Sequence, residues 1–261
     1  MTFTNTAVAA AKQAGAYLLK NFEKTELPEK RMKSQFELVT EFDLEANTQI
    51  INTIKANYPD HDILSEETGL ANNPGKVKWI VDPLDGTTNF AIRNPVFTVS
   101  IAVMHDGKLI SGVIYAPVTD DLYVAEKGKG ATLNGRTIHV SSTETLKSSI
   151  IMYGSSHDQH SALFALKINE HFLNYTFKVR RLGSASLDLA FVAAGRVDAC
   201  VMAPPSTLWD VAAGVLLIQE AGGKVTDLSG KNWTAPGDQV VASNGLLHAE
   251  ILQHIKEIQK S

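Results

Sequence analysis

The chain carries one cysteine, Cys200, among its 261 residues. A lone thiol excludes an internal disulfide framework and any cysteine-built zinc cluster, and it fits a reducing compartment. Long apolar runs are missing too: the longest, Val211 to Ile218, is far short of the roughly 20 residues that a membrane span needs. Positive charge is not in excess, with 24 Lys and Arg against 28 Asp and Glu, a formal net charge of −4 and a pI near 6.1. No basic face is expected to gather a phosphate backbone, which disfavours nucleic acid as a partner and leaves small charged ligands open. The first residues, MTFTNTAVAAAKQAGAYLLKNFEK, have neither a basic region leading into an unbroken apolar segment nor an Arg-rich, acid-free character. A cytoplasmic protein is expected. The sequence contains no internal repeat, low-complexity tract or linker rich in Pro, Gly or Ser, so residues 1–261 are expected to form one domain with a loose sub-boundary near 141–150.

What is present is a 44% hydrophobic composition that alternates between two periodicities. Val8, Ala11, Gly15, Leu18, Leu19 and Phe22 recur at helical spacing, as do Leu44, Ile50, Ile51 and Ile54, predicting helices over about 4–24 and 41–57. The polar stretch between them, with Lys33 and Ser34 at its middle, reads as an exposed loop or hairpin able to close over a site. From Ile63 short apolar runs bounded by Asp, Gly and Pro predict a sheet, and Asn134-Gly135 marks a tight hairpin. Helical spacing returns over 158–173, 184–194, 208–221 and 246–258, interleaved with strand candidates 176–181, 197–202 and 239–242. The alternation implies a layered α/β architecture.

The sharpest local feature is WIVDPLDGTTNF, Trp79 to Phe90, where an apolar strand ends in two carboxylates, Asp82 and Asp85. Acids at the carboxyl end of a buried strand lie in the crevice where α/β folds bind ligands. Pro83 fixes one backbone torsion and Gly86 permits unusual ones, so the turn can aim both acids at one spot. Two Asp and the carbonyl of Leu84 suit the oxygen-only coordination of Mg²⁺, although Asp-Pro and Asp-Gly are also common turn pairs. Glu66 ends the preceding short strand in the same manner, and Asp210 stands at the start of a helix, where capping is the competing role.

Together these strings resemble the inositol monophosphatase family: TEFDLEAN (40–47), SEETG (65–69), WIVDPLDGTTNF (79–90), GSA (183–185) and WDVAAGVLLIQEAGG (209–223), with similarity extending to VVASNG at 240–245. The resemblance implies an alternating αβαβα sandwich and Mg²⁺-dependent, lithium-sensitive hydrolysis of a small phosphate monoester. It implies that Glu66, Asp82, Asp85, Asp210 and the Leu84 carbonyl hold two or three Mg²⁺ ions. Thr87 would orient the attacking water with Asp43, and the amides of Gly86 and Thr87 would hold the phosphate. Gly183, Ser184 and Ala185 would contact substrate, Lys33 would be the mobile-loop lysine, and the protein would be a homodimer. Inositol 1-phosphate is the first substrate expected. Where inositol-specific members place a hydroxyl-reading glutamate, however, this chain has CVMAPPSTLWD, with no acid before Asp210. Histidinol phosphate, fructose 1,6-bisphosphate, other sugar phosphates and adenosine 3′,5′-bisphosphate therefore stay open, as does a catalytically idle binding module.

Three features are set aside. Cys200 is followed by VMAPPSTL rather than a glycine-rich anion loop, and reads as a buried strand residue. The glycines at 128–135 lack the G-K-[ST] ending of a nucleotide-binding loop and read as a hairpin turn. His157 and His160 have no third partner nearby in sequence and read as solvated.

Overall fold

The computed structural model describes residues 1–22, 24, 31–32, 38–70, 76–155, 158–235 and 239–260. Helix α1 (Phe3–Phe22) buries a stripe of small residues, Ala7, Ala10, Ala11 and Ala14, ending at Leu18, while Lys12, Gln13 and Lys20 face solvent. Small side chains on that face let it lie close against its neighbours. Strands β1 (Arg31–Met32) and β2 (Leu38–Val39) pair antiparallel, the hairpin alternative expected there. Lys33 lies outside the described residues. Helix α2 (Glu41–Asn57) starts on a capping box: the Thr40 hydroxyl accepts from Phe42 N, and Asp43 Oδ2 accepts from Thr40 N at 2.8 Å. That cap fixes the direction of the Asp43 side chain.

A first sheet contains β3 (Asp62–Ser65), β4 (Gly69–Leu70), β5 (Val77–Asp85), β6 (Thr98–His105), β7 (Lys108–Ala116), β8 (Asp121–Glu126), β9 (Gly130–Leu133) and β10 (Arg136–Ile138). Its order is β10-β9-β8-β7-β6-β5-β3-β4, antiparallel except for the β3–β5 pair. Asn134 and Gly135 join β9 to β10 with φ of 49° and 76°, as a two-residue hairpin with both central residues left-handed requires.

Helix α3 (Thr87–Ala91) follows β5. The remaining elements are β11 (Ile150–Ser155), α4 (Gln159–Phe172), β12 (Lys178–Arg180), α5 (Ala185–Ala193), β13 (Ala199–Ala203), α6 (Leu208–Glu220), β14 (Lys224–Thr226), β15 (Val240–Ser243) and α7 (His248–Ile258). The five strands form a second sheet of order β12-β11-β13-β15-β14, parallel across β12-β11-β13 and antiparallel across β13-β15-β14.

The layers alternate helix, sheet, helix, sheet, helix. Helices α1 and α2 cover the outer face of the first sheet around Trp79, Phe90 and Phe97. Helices α5 and α6 lie between the sheets, and α4 and α7 cover the outer face of the second around Ile151, Phe172 and Ile251. This position explains the apolar run in α6: Val211 to Ile218 are all buried because both sides of the helix meet a sheet. No helix among the described residues is long and apolar enough to cross a membrane.

The expected helices are present: α2 has the expected bounds, α1 begins one residue earlier, and the ends of the others differ by two residues at most. Strands β4, β11 and β14 were not expected: each is a short run that is set by its pairing with another segment. Cys200 is buried in β13, as expected; Gly128 lies in the hairpin turn between β8 and β9, and Gly130 begins β9. His160 is exposed but sits in the first turn of α4 rather than in a loop, and His157 lies outside the described residues.

One buried histidine ties the second sheet to its covering helix. His248 Nε2 lies 2.9 Å from Thr226 Oγ1 on β14, and Nδ1 lies 2.8 Å from Ser243 Oγ on β15. Burial, reinforced by Lys224, lowers its pKa to about 4, so the folded protein holds the ring neutral. The unfolded chain takes up this proton at its ordinary pKa near 6.5. Stability from this site is therefore full above about pH 6.5 and is lost progressively as pH falls toward 4. Thermal melts from pH 7.5 to 4.5 should show the wild-type Tm falling more steeply than that of His248→Asn; parallel profiles would exclude this role for the histidine.

Candidate active site

Strand β5 delivers the central acids. Its pairing with β6 runs in register to Asp82 opposite Ser100, breaks, and resumes at Asp85 opposite Thr98. Pro83 has no N–H to give the ladder, so the two residues between the acids bulge and turn both acids toward the same side. Asp82 Oδ1 accepts from Leu84 N at 3.0 Å, which closes the turn. Gly86 follows with φ of 94°, and a Cβ there would stand 2.9 Å from the Val96 carbonyl oxygen. Only glycine fits that combination.

These residues line a cavity of about 720 Å³ between the sheets. Glu66 reaches it from the end of β3 and Asp210 from the first turn of α6. Gly183, Ser184 and Ala185 enter from the start of α5. Every expected site residue among those described borders the cavity except Asp43, which lies behind Thr87. The Thr87 hydroxyl is 2.8 Å from Asp43 Oδ1 and 3.1 Å from the Leu84 carbonyl. It has one proton, and the carboxylate is the stronger acceptor.

Asp85 is the most heavily bonded acid. Its Oδ2 accepts from Ser184 Oγ at 2.7 Å, Ser186 N at 2.7 Å, Ser186 Oγ at 2.6 Å and, weakly, Thr98 Oγ1 at 3.4 Å. Among the described residues its Oδ1 accepts from Ala185 N alone, at 3.0 Å, which leaves this oxygen with further acceptor capacity at the cavity wall. Asp85 thus caps the N-terminus of α5, and two donors expected to meet substrate, Ser184 Oγ and Ala185 N, are engaged by it here. Asp210 is not the cap of its own helix. Thr207 holds that position with extended backbone, which places Asp210 in the first turn, where a carboxylate gains from the helix dipole.

The cavity is strongly acidic. Six carboxylates line it, those of Glu66, Asp82, Asp85, Asp158, Asp188 and Asp210, against one guanidinium, Arg181, among the described residues. Burial, then repulsion from Glu66, Asp85 and Asp210, pushes the Asp82 carboxyl well above the usual range. Burial and the charge on Asp85 raise Asp188 likewise. Asp43 is raised to about 6, chiefly by burial, with the Thr40 and Thr87 hydrogen bonds opposing. Two buried oxygens at the wall, Asp188 Oδ1 and Thr207 Oγ1, have no hydrogen-bond partner among the described residues. An all-oxygen donor set, unbalanced negative charge and orphaned buried oxygens together fit a hard divalent cation.

Sequence reasoning passed over four residues here. Asp188 and Arg181 lie outside the strings that stood out, and Thr207 lies in CVMAPPSTLWD, which drew notice only for its lack of an acid. Asn89 lies inside one, yet nothing local marks it: its Nδ2 donates to Val96 O, Leu182 O and Gly183 O at 2.7, 2.9 and 3.2 Å, joining α3 to the turn before α5.

Alternating helix and sheet layers around an acidic, oxygen-lined cleft define an α/β protein with a site suited to divalent cations. The chain belongs to the inositol monophosphatase family, whose model matches residues 1–260. It is 40% identical over 256 residues to the Nus factor SuhB of Vibrio cholerae, covering 97% of this chain and 95% of that protein. The extragenic suppressor protein suhB from Bartonella henselae superposes with a TM-score of 0.91 at 35% identity over 97% of this chain and 98% of that one. An inositol monophosphatase from Anabaena (Nostoc) superposes with a TM-score of 0.87 at 36% identity over 98% and 95%.

Asn89→Ala leaves three carbonyls short of a donor and frees α3 from α5. It is expected to cost about 2 kcal/mol in denaturant unfolding; an unchanged midpoint would show the link to be idle.

Proposed function

We propose that the protein is a Mg²⁺-dependent phosphomonoesterase acting on a small soluble metabolite, with inositol 1-phosphate the first candidate. The reading rests on one arrangement: Thr87, hydrogen-bonded to Asp43, at the edge of a cavity lined by Glu66, Asp82, Asp85 and Asp210. A phosphate dianion cannot approach six carboxylates balanced by one arginine unless cations intervene. Glu66, Asp82, Asp85, Asp210 and the Leu84 carbonyl would hold two or three Mg²⁺ ions. When bound, Mg²⁺ neutralises phosphate charge, lowers the pKa of a water and stabilises the departing alkoxide.

The chain's own groups do the rest. The Thr87 hydroxyl donates to Asp43, so its oxygen can accept a hydrogen bond from the attacking water; as that water gives its proton to Thr87 Oγ, the hydroxyl's own proton passes to Asp43 Oδ1. That orients the water in line with the phosphorus. The amides of Gly86 and Thr87 hold a phosphate oxygen. Gly183 to Ala185 form the opposite wall, and Arg181 is the cation available to an anionic substituent on the alcohol. The segment before Asp210 supplies no carboxylate to read a ring hydroxyl, so histidinol phosphate, sugar phosphates and adenosine 3′,5′-bisphosphate belong in the same test.

Two further parts of the reading have their own support. An outward band of Leu163, Leu166, Leu173, Tyr175 and Phe177, each 45% exposed or more, suits a homodimer interface. A cytoplasmic location accords with the single thiol. A second reading, a binding module with little or no turnover, is favoured by the name Nus factor carried by relatives at 40% identity.

Phosphate release should be assayed on these compounds with Mg²⁺, with EDTA and with Li⁺. Mg²⁺-dependent release, inhibited by lithium and reduced at least about 100-fold in Asp85→Asn, is the expected result; failure on every substrate would leave the binding module. Asp43 must be ionised to take up the proton relayed through Thr87, so activity should rise with pH through an apparent pKa near 6. In Asp43→Asn, kcat should fall and that limb should vanish; an unaltered limb would remove Asp43 from the proton path.

A further inference from the structure

Far from the acidic cavity, on the outer face of the second sheet, three side chains of a different chemistry converge. His171 ends α4, and His254 and Glu257 lie three residues apart on α7. His171 Nε2 and His254 Nδ1 are 2.8 Å apart, and Glu257 Oε2 is 3.6 and 3.5 Å from those two nitrogens. The same three atoms therefore close one triangle.

A triangle with these sides has a circumradius of about 1.9 Å, so a point about 0.7 Å above its plane lies about 2.05 Å from all three atoms. That is the ordinary length of Zn–N and Zn–O bonds. The angles at that point would be about 86°, 117° and 123°, averaging about 109°, which leaves a fourth, tetrahedral position free.

Hydrogen bonding alone accounts poorly for the arrangement. One proton can sit between the two rings, but Glu257 is beyond hydrogen-bond range of both nitrogens. Three lone-pair atoms thus face a single proton. The ring planes cross at 63°, with Phe172 and Tyr175 packed around them, Tyr175 at 4.3 Å from His254 between centroids. These ring contacts hold both imidazoles in place on one side of the triangle.

We propose that His171, His254 and Glu257 form a second metal site, selective for a borderline transition-metal dication such as Zn²⁺, which fastens α7 to α4. The two sites differ in donor chemistry. Two imidazoles and a carboxylate prefer zinc-class ions, whereas the all-oxygen cavity prefers Mg²⁺. Mg²⁺ therefore does not compete for the histidine site, and a metal bound there rigidifies the C-terminal helix while the fourth position takes water.

The test is Co²⁺ titration of the EDTA-stripped full chain in millimolar Mg²⁺, followed by visible absorption, since four-coordinate Co²⁺ with nitrogen ligands absorbs far more strongly than six-coordinate Co²⁺ on oxygen. One strongly absorbing ion per chain is expected, displaced by Zn²⁺, with the bands lost in His254→Gln and in Glu257→Gln and retained in Asp82→Asn. Glu257 is half exposed, so its variant tests ligation without threatening the fold. Weak or absent bands in the wild type would overturn the proposal, as would bands that survive both ligand substitutions or disappear in Asp82→Asn.

Discussion

Asp85 accepts hydrogen bonds from Ser184, Ala185 and Ser186, residues 99 to 101 positions further along the chain. Through this carboxylate the end of β5, in the first sheet, is anchored to the start of α5, which lies between the sheets. Asn89 repeats the link a few residues on, reaching Leu182 and Gly183. The cavity exists because these bonds fix the spacing of its two walls. A charged acceptor at a helix N-terminus suits the role, because the free N–H groups and the helix dipole both favour it.

The same joint offsets an unfavourable concentration of charge. Each buried carboxylate near another raises the free energy of the folded state, and Asp82, repelled by three neighbours, bears this most. Asp85 is relieved by five donors, Asp43 by Thr40 and Thr87, and Asp210 occupies a favourable first turn. What remains unbalanced faces the cavity, where a bound cation would supply the missing interaction. On the proposed function, stability is given up at the place where a metal and an anionic substrate would bind.

A layered α/β architecture was legible in the sequence because periodicity reports burial directly, while the order of the layers followed from the family resemblance. The amphipathic period of α1 and α2 marks helices covering one face of a sheet, and the continuous apolar run in α6 marks a helix covered on both. The acids were legible for a related reason: an apolar strand ending in Asp-Pro-Leu-Asp-Gly has few local structures available, and each projects both carboxylates from the strand end. Strands β11 and β14 were not legible. Their residues carry no distinctive period, and their pairing is decided by partners such as Ala199 to Ala203 and Val241 to Ser243.

The sequence by itself determined the fold class, the family and the residue types gathered at the acidic end of β5, since those follow from local pattern and from motifs read along the chain. Tertiary structure alone decided which groups meet: Asp85 with the start of α5, Asn89 with the turn at 182–183, Asp188 and Arg181 with the cavity, and His171 with His254 and Glu257. These contacts join residues dozens of positions apart, and no periodicity in one segment carries information about the other. Long-range polar geometry is set by how the layers stack, and stacking is the outcome of burying all the apolar faces at once.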